Sequence, residues 1–242
     1  MQLYPLKSEL IQPKKSLLTY LIPALQKAHK KLQNNDILVI TSKVLALSQN
    51  RLTNLPIEQA VKAEADIYLS QQPCRLTIKD GLLIPGAGID QSNSPTGTLI
   101  LWPRNPWQAA SKLRKQLLQK FKLKQLGLLI TDSTSRPLRL GVNSLALAWS
   151  GFQGVRDVRG QKDLFDQKLR ITQIACADAL ASSAGLLTGE ANESTPFVLI
   201  RAAPVKFCAK TQRPKPLLPN ECLYQSIYKP SFRKIKNLKR TD

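Results

Sequence analysis

Residues 126–133 read LGLLITDS, and residues 36–43 read DILVITSK. Each is a run of about five apolar residues that stops on hydroxyl and charged side chains, too short for a core helix and rich in Leu, Ile and Val. Both are read as buried strands, the second covering residues 36–42 and the first residues 126–131. Working outward, residues 16–32 place Leu17, Leu18, Leu21, Leu25 and Leu32 near helical spacing, with Pro23 expected to kink or split the helix. Residues 43–52, KVLALSQNRL, fit a strand or a helix equally. Ile57, Val61, Ala65 and Tyr68 predict a one-faced helix over 57–71. Residues 76–85 predict a hairpin turning at Asp80 and Gly81. Residues 106–121 predict an amphipathic helix with Ala110, Leu113, Leu117 and Phe121 inward. Residues 171–187 predict a small-residue helix, and 196–202 a last core strand. Strands and helices that do not alternate regularly indicate an α+β, irregular mixed α/β fold.

The chain of 242 residues is 43% hydrophobic and can bury a real core. No apolar run approaches bilayer length, and the first residues lack the pattern of a secretory signal, so a cytoplasmic protein with no membrane association is expected. Cys74, Cys176, Cys208 and Cys222 form no metal-ligand spacing and read as reduced structural thiols. The single histidine, His29, lies in a Lys-rich stretch read as a solvated helix face, which leaves no basis for a histidine-rich metal site or a Ser-His-Asp triad.

The formal charge of +20 is unevenly spread: residues 202–242 hold ten Lys or Arg against Glu221 and Asp242. Such a charge favours anionic partners, but aromatics make up only 6% of the chain, so nucleic acid is not expected as the main partner. The division expected is a catalytic domain over residues 1–202 and a basic, Pro-containing tail over 203–242.

Two carboxylates end apolar segments: Asp90 in GAGIDQSNSPTG (86–97) and Asp132 in LLITDS. A strand end is a firm base from which to present a carboxylate, and hard ions such as Mg²⁺ or Mn²⁺ require oxygen ligands, to which Ser133 and Glu190 could add. Each Asp equally suits a turn cap. Cations crowd the same part of the chain: Arg136 and Arg139, then Arg156, Arg159, Lys162, Lys168 and Arg170 within RDVRGQKDLFDQKLR (156–170). These suit phosphoryl transfer, or simply a solvated face of alternating charge. There is no GxxxxGK[ST] loop, and GAGIDQ lacks the third glycine of a dinucleotide fingerprint.

Taken in order, YPLKSELIQP (4–13), DILVITSK (36–43), GAGIDQSN (86–93), ITDSTSRPLRLG (130–141), RDVRGQKDLF (156–165), LLTGE (186–190) and PFVLIRA (196–202) resemble the coenzyme F420-0:γ-glutamyl ligase family. The resemblance implies a two-lobed fold, a homodimer, and a reaction in which GTP or ATP and a divalent metal, Mg or Mn and two ions, activate an acceptor carboxylate for joining to L-glutamate. It implies metal ligands at Asp90, Asp132, Ser133 and Glu190. It implies nucleotide contacts from Leu6, Lys7, Ser8, Glu9, Ser42, Lys43, Asn93, Thr188 and Gly189. Arg136, Arg139 and Lys162 are the candidates for holding phosphate or substrate carboxylates during catalysis. Three positions depart from the family's pattern: Leu47 stands where a Lys is usual, Ser133 where Thr is usual and Ser135 where Gly is common. A branch of the family acts on folates, so the acceptor is expected to be a folate or F420-0. Two other expectations compete: a degenerate ligase fold that binds RNA or another polyanion, and a metal-dependent phosphohydrolase.

Overall fold

The computed structural model describes residues 1–71, 74–94, 96–209, 213–214, 217 and 221–226. The chain divides into two compact units, one of Met1–Asn54 with Asp90–Arg213, the other of Leu55–Ile89 with Pro214–Asp242.

The larger unit is built on a five-stranded sheet. In chain order its elements are β1 (Gln2–Leu6), α1 (Leu17–Lys27), β2 (Ile37–Thr41), α2 (Ser42–Ser48) and β3 (Leu52–Thr53). In the smaller unit follow α3 (Ile57–Glu64), β4 (Ile67–Ser70), β5 (Leu76–Lys79) and β6 (Leu82–Pro85). The larger unit resumes with β7 (Leu99–Ile100), α4 (Pro106–Lys120), β8 (Gly127–Ser135), β9 (Val142–Ser150), β10 (Arg156–Asp157), β11 (Gln173–Ile174), α5 (Cys176–Thr188) and β12 (Phe197–Arg201). The sheet order is β1-β12-β2-β8-β9, in which β2 and β8 run parallel with Ile37 opposite Gly127 and Thr41 opposite Thr131, while the other pairs are antiparallel.

The two apolar runs at residues 36–43 and 126–133 thus hold the neighbouring strands β2 and β8. Ile37 to Ile40 and Leu128 to Ile130 are all buried to 1% exposure or less, so both faces of these strands are covered. On one face Ile37, Val39, Leu129, Val198 and Ile200 pack with Ala177, Leu180, Ala181 and Ala184 of α5. This helix sits close because its facing residues are small: a Cβ at Gly185 would lie 2.4 Å from Ser144 Oγ on β9. The three-stranded β4-β5-β6 sheet of the smaller unit contains the expected hairpin, with Lys79 opposite Leu82.

Four local expectations are corrected. The helix over 57–71 stops at Glu64, Ala65 is extended, and residues 67–70 form β4 against β5. There strand pairing by Ile67 and Tyr68 outcompetes the helical spacing. The helix expected from residue 171 begins only at Cys176, since Gln173–Ile174 pair with Arg156–Asp157. Pro23 does not split α1, which runs from Leu17 to Lys27 with Pro23 exposed on its outer face. His29 lies beyond the end of α1 in a left-handed turn at φ 50°, not on a helix face. The ambiguous stretch 43–52 resolves mainly as helix α2, on which Leu47 is half-buried.

Past β12 the chain remains packed. Phe207 bridges Phe152, Gln153 N–H donates to the Lys206 carbonyl, and Arg114 Nη1 donates to the Ala209 carbonyl. Most of the expected tail lies outside the described residues.

Candidate active site

Parallel strands β2 and β8 deliver their C-terminal ends to one place. β2 runs directly into α2, so Ser42 and Lys43 stand at its exit, while β8 continues beyond Thr131 to present Asp132 and Ser133. Ser42 Oγ donates to Asp132 Oδ1 at 2.7 Å, and the next residue, Lys43, places Nζ 2.8 Å from Asp90 Oδ2. Two carboxylates far apart in the chain are therefore gripped by consecutive residues. The Asp90 backbone is locked to Ile100 by reciprocal hydrogen bonds of 2.9 Å.

The two carboxylates have unlike surroundings. Burial opposes ionisation of Asp90, but hydrogen bonds from Lys43 and from the Ser92 N–H and hydroxyl outweigh it and hold the carboxyl below its usual range. The Asp132 carboxyl is enclosed by its neighbours, and burial dominates: its pKa is raised to about 6 despite hydrogen bonds from Ser42, the Trp102 indole and the Ser133 backbone, with the charge of Asp90 adding to the rise. No protein cation pairs with Asp132 among the described residues. An enclosed anion lacking a counter-cation favours binding one.

One residue further along β8, Ser133 Oγ donates to Glu190 Oε1 at 2.6 Å. Successive strand residues point to opposite sides, so the Ser133–Glu190 pair and the Asp132–Asp90 pair flank β8. Glu190 follows Gly189, the end of α5, whose φ of 68° suits glycine and where a Cβ would fall 2.0 Å from Glu193 Cδ. Asn93 Nδ2 donates to the Ala191 carbonyl at 2.8 Å, tying the Asp90 loop to the Glu190 loop. The Ser8 N–H donates to the Ser194 carbonyl at 2.9 Å, which brings the segment after β1 to the same loop. Leu6 itself is buried opposite Phe197, whereas Lys7 and Glu9 are exposed. Thr188 and Gly189 form the last turn of α5, Thr188 Oγ1 donating to the Gly185 carbonyl.

Among the described residues none of the three expected catalytic cations is bonded to Asp90, Asp132 or Glu190. Arg136 and Arg139 are exposed on the β8–β9 connection, with Arg136 Nε donating to Asn143. Lys162 is 62% exposed and ion-paired with Asp166, in a segment that leaves β10 and returns to β11. Trp102 was missed altogether. Its indole N–H donates to Asp132 Oδ2, yet in the sequence LWP marks it only as one more apolar residue.

Among the described residues no three His, Cys, Asp or Glu side chains form a closed metal cage. The donors present are instead paired carboxylates and neighbouring hydroxyls. That set fits Mg²⁺ or Mn²⁺, which bind through one or two carboxylates and complete their shells with water and substrate phosphate.

Carboxylates beside hydroxyls at the ends of parallel strands, where loops meet, form a site of the kind enzymes use for catalysis. The family F420-0:Gamma-glutamyl ligase matches residues 5–70 and 57–202. The chain belongs to this family of amide-bond-forming ligases. It is 43% identical over 129 residues to the Coenzyme F420:L-glutamate ligase of Methanocaldococcus jannaschii, a match spanning 53% of this chain and 51% of that protein. It is 31% identical over 206 residues to that of Methanococcus maripaludis strain C7, covering 84% of this chain and 80% of the relative. With that of Archaeoglobus fulgidus the identity is 34% over 190 residues, covering 70% and 76%. Among the described residues no helix is long and apolar enough to cross a membrane.

Proposed function

We propose that this chain joins L-glutamate in γ linkage to a small-molecule acceptor carboxylate, using GTP or ATP and divalent metal, in the cytoplasm. The observation that carries this reading is the grip of Ser42 on Asp132 and of Lys43 on Asp90, which sets two carboxylates together where three loops meet.

An acceptor carboxylate oxygen attacks the γ-phosphorus, the bond to the β-phosphate oxygen breaks, and a nucleoside diphosphate leaves. The glutamate amine then attacks the acyl phosphate carbon, loses a proton, and phosphate departs with the bonding pair. Asp90 and Asp132, with Ser133 and Glu190, would hold the divalent metal, which would supply charge neutralisation to the triphosphate. Lys43, ion-paired with Asp90, stands within the same site as a cation for phosphate. Residues 6–9, Ser42, Asn93, Thr188 and Gly189 border the nucleotide. Arg136, Arg139 and Lys162 are the candidates for holding phosphate or substrate carboxylates. No protein nucleophile is required.

The acceptor is assigned to the folates ahead of F420-0, because half-buried Leu47 offers an apolar contact where the family pattern has a charge. Incubation with nucleotide, Mn²⁺ and glutamate, with mass gain followed on dihydrofolate, tetrahydrofolate and F420-0, tests this. Glutamate added to a folate is expected. Addition to F420-0 alone would reject the acceptor and leave the ligase, and no addition to any of them would reject both.

The working form is a homodimer. Leu138 and Leu140 on the β8–β9 connection are fully exposed, as is Leu164, and Phe165 and Ile171 are 82% and 88% exposed. Apolar side chains this bare are commonly covered by a partner. Light scattering is expected to give twice the chain mass, and Leu138→Glu with Leu140→Glu to give a monomer; a wild-type monomer would contradict the assignment.

A further inference from the structure

Among the described residues the indole N–H of Trp102 is one of two side-chain donors on the Asp132 carboxylate, on Oδ2, with Ser42 on Oδ1. Trp102 is 3% exposed, and its backbone is itself held, since Arg51 Nε donates to the Trp102 carbonyl at 2.8 Å and the Leu101 N–H donates to the Arg51 carbonyl at 2.9 Å. The donors come from opposite directions in the chain, one from the head of α2 and one from the segment after β7. With one side-chain donor on each oxygen and the Ser133 N–H as a further donor, the carboxylate has a single orientation, and lone-pair capacity remains for another partner.

We propose that Trp102 is a positioning residue whose indole N–H locks the Asp132 carboxylate in the orientation that receives the divalent cation. The inference rests on the reading of Asp132 as a cation ligand.

The chemistry of indole suits this task. It donates one hydrogen bond and accepts none, so it orients the carboxylate without competing for the cation. A Lys or Arg in its place would neutralise the carboxylate and repel the incoming charge. Asp90 shows that alternative, since Lys43 Nζ covers its Oδ2 and an arriving cation must displace an ammonium. Asp132 has no such competitor, and the buried ring keeps water from its far side. Partners of this kind that orient a metal ligand typically govern 10- to 100-fold in metal affinity.

The test is Mn²⁺ titration of the full chain without nucleotide, reading free Mn²⁺ by electron paramagnetic resonance. Four proteins are compared: wild type, Trp102→Phe, a chain carrying 3-benzothienylalanine at position 102, and Asp132→Asn. The benzothienyl side chain keeps the indole shape and removes only the N–H, so it reports on the hydrogen bond even if Trp102→Phe leaves a cavity that destabilises the fold. Mn²⁺ affinity is expected to fall about 10- to 100-fold in the benzothienyl protein at an unchanged melting temperature, and at least as far in Asp132→Asn. Wild-type affinity in the benzothienyl protein, alongside a loss in Asp132→Asn, would overturn the role of Trp102 alone. Unchanged affinity in Asp132→Asn would overturn both that role and the ligand assignment beneath it.

Discussion

The parallel pair β2 and β8 has two ends, and they are chemically opposite. At the C-terminal end stand Asp90, Asp132 and Glu190 with Ser42 and Ser133. Five residues back, roughly 17 Å away, the strands begin beside two turns tied together by Asn34, whose Oδ1 accepts from the Lys124 and Gln125 N–H groups at 2.8 and 3.0 Å. Around these turns lie the exposed Lys27, Lys31, Lys120, Lys122 and Lys124. Residues 10–35 and 91–131 together hold twelve Lys or Arg and no Asp or Glu. The one carboxylate at this end, Asp36, is 1% exposed and fully engaged by Arg201 Nε and Nη2, each at 2.9 Å.

At one end, then, a buried carboxylate is given its protein cation, and at the other Asp132 is denied one. A structural carboxylate is matched so that it costs little, whereas a ligand carboxylate is left needing something the protein does not contain.

The largest effect expected is at Asp132. Asp132→Asn should lower turnover by more than about a hundredfold, with Asp90→Asn alike, while the metal-free Asp132→Asn protein becomes more stable than wild type. The direction follows from the raised pKa. Between the unfolded value near 3.8 and the folded value of about 6 the native state holds a proton the unfolded state has lost. Stability from this group is therefore complete below that window and is lost as pH rises through it, by about 1–3 kcal/mol at pH 7. Chemical denaturation from pH 4 to 8 should show Asp132→Asn gaining on wild type as pH rises; a loss of stability at pH 7 would place Asp132 with Asp36 as a structural group.

Arg201→Ala tests the other end. It leaves Asp36 buried without its cation, and unfolding free energy should fall by about 3 kcal/mol with turnover per folded molecule retained. If turnover fell and stability held, the two ends would not differ in the way described.

Deleting residues 211–242 should leave turnover at saturating substrate unchanged. An inactive but folded product would bring the tail into the active site. The smallest effect belongs to the exposed lysines: Lys120→Gln, Lys122→Gln and Lys124→Gln together should alter stability by less than about 0.5 kcal/mol. At low salt kcat/KM for the anionic nucleotide should drop a few-fold, and the difference should vanish near about 0.15 M salt.

Much of this architecture was legible in sequence, and what escaped did so for identifiable reasons. β2, β8, β12 and α4 were readable because long apolar runs or a full helical face leave little choice. β9 escaped. Its inward Ser144 and Ala146 are weak strand formers, and they are small because α5 approaches so closely that Gly185 rests against Ser144. That need arises from a helix more than thirty residues later, so no local pattern records it. Asp90 and Asp132 stand out in the sequence as carboxylates ending apolar segments, with Glu190 entering as a further oxygen donor, but the partners that distinguish them do not. The links of Ser42 to Asp132 and Trp102 to Asp132 cross 90 and 30 positions. Among the cations at 156–170, Lys162 pairs with Asp166 four residues on, a local partner that the spacing alone leaves open.

The central claim is that the carboxylate end performs nucleotide-driven ligation of glutamate, and phosphate release from GTP and ATP tests it most directly. With Mn²⁺ and a competent acceptor, release should depend on added L-glutamate and disappear in Asp132→Asn. Release that proceeds equally without glutamate, or that survives in Asp132→Asn, would contradict it.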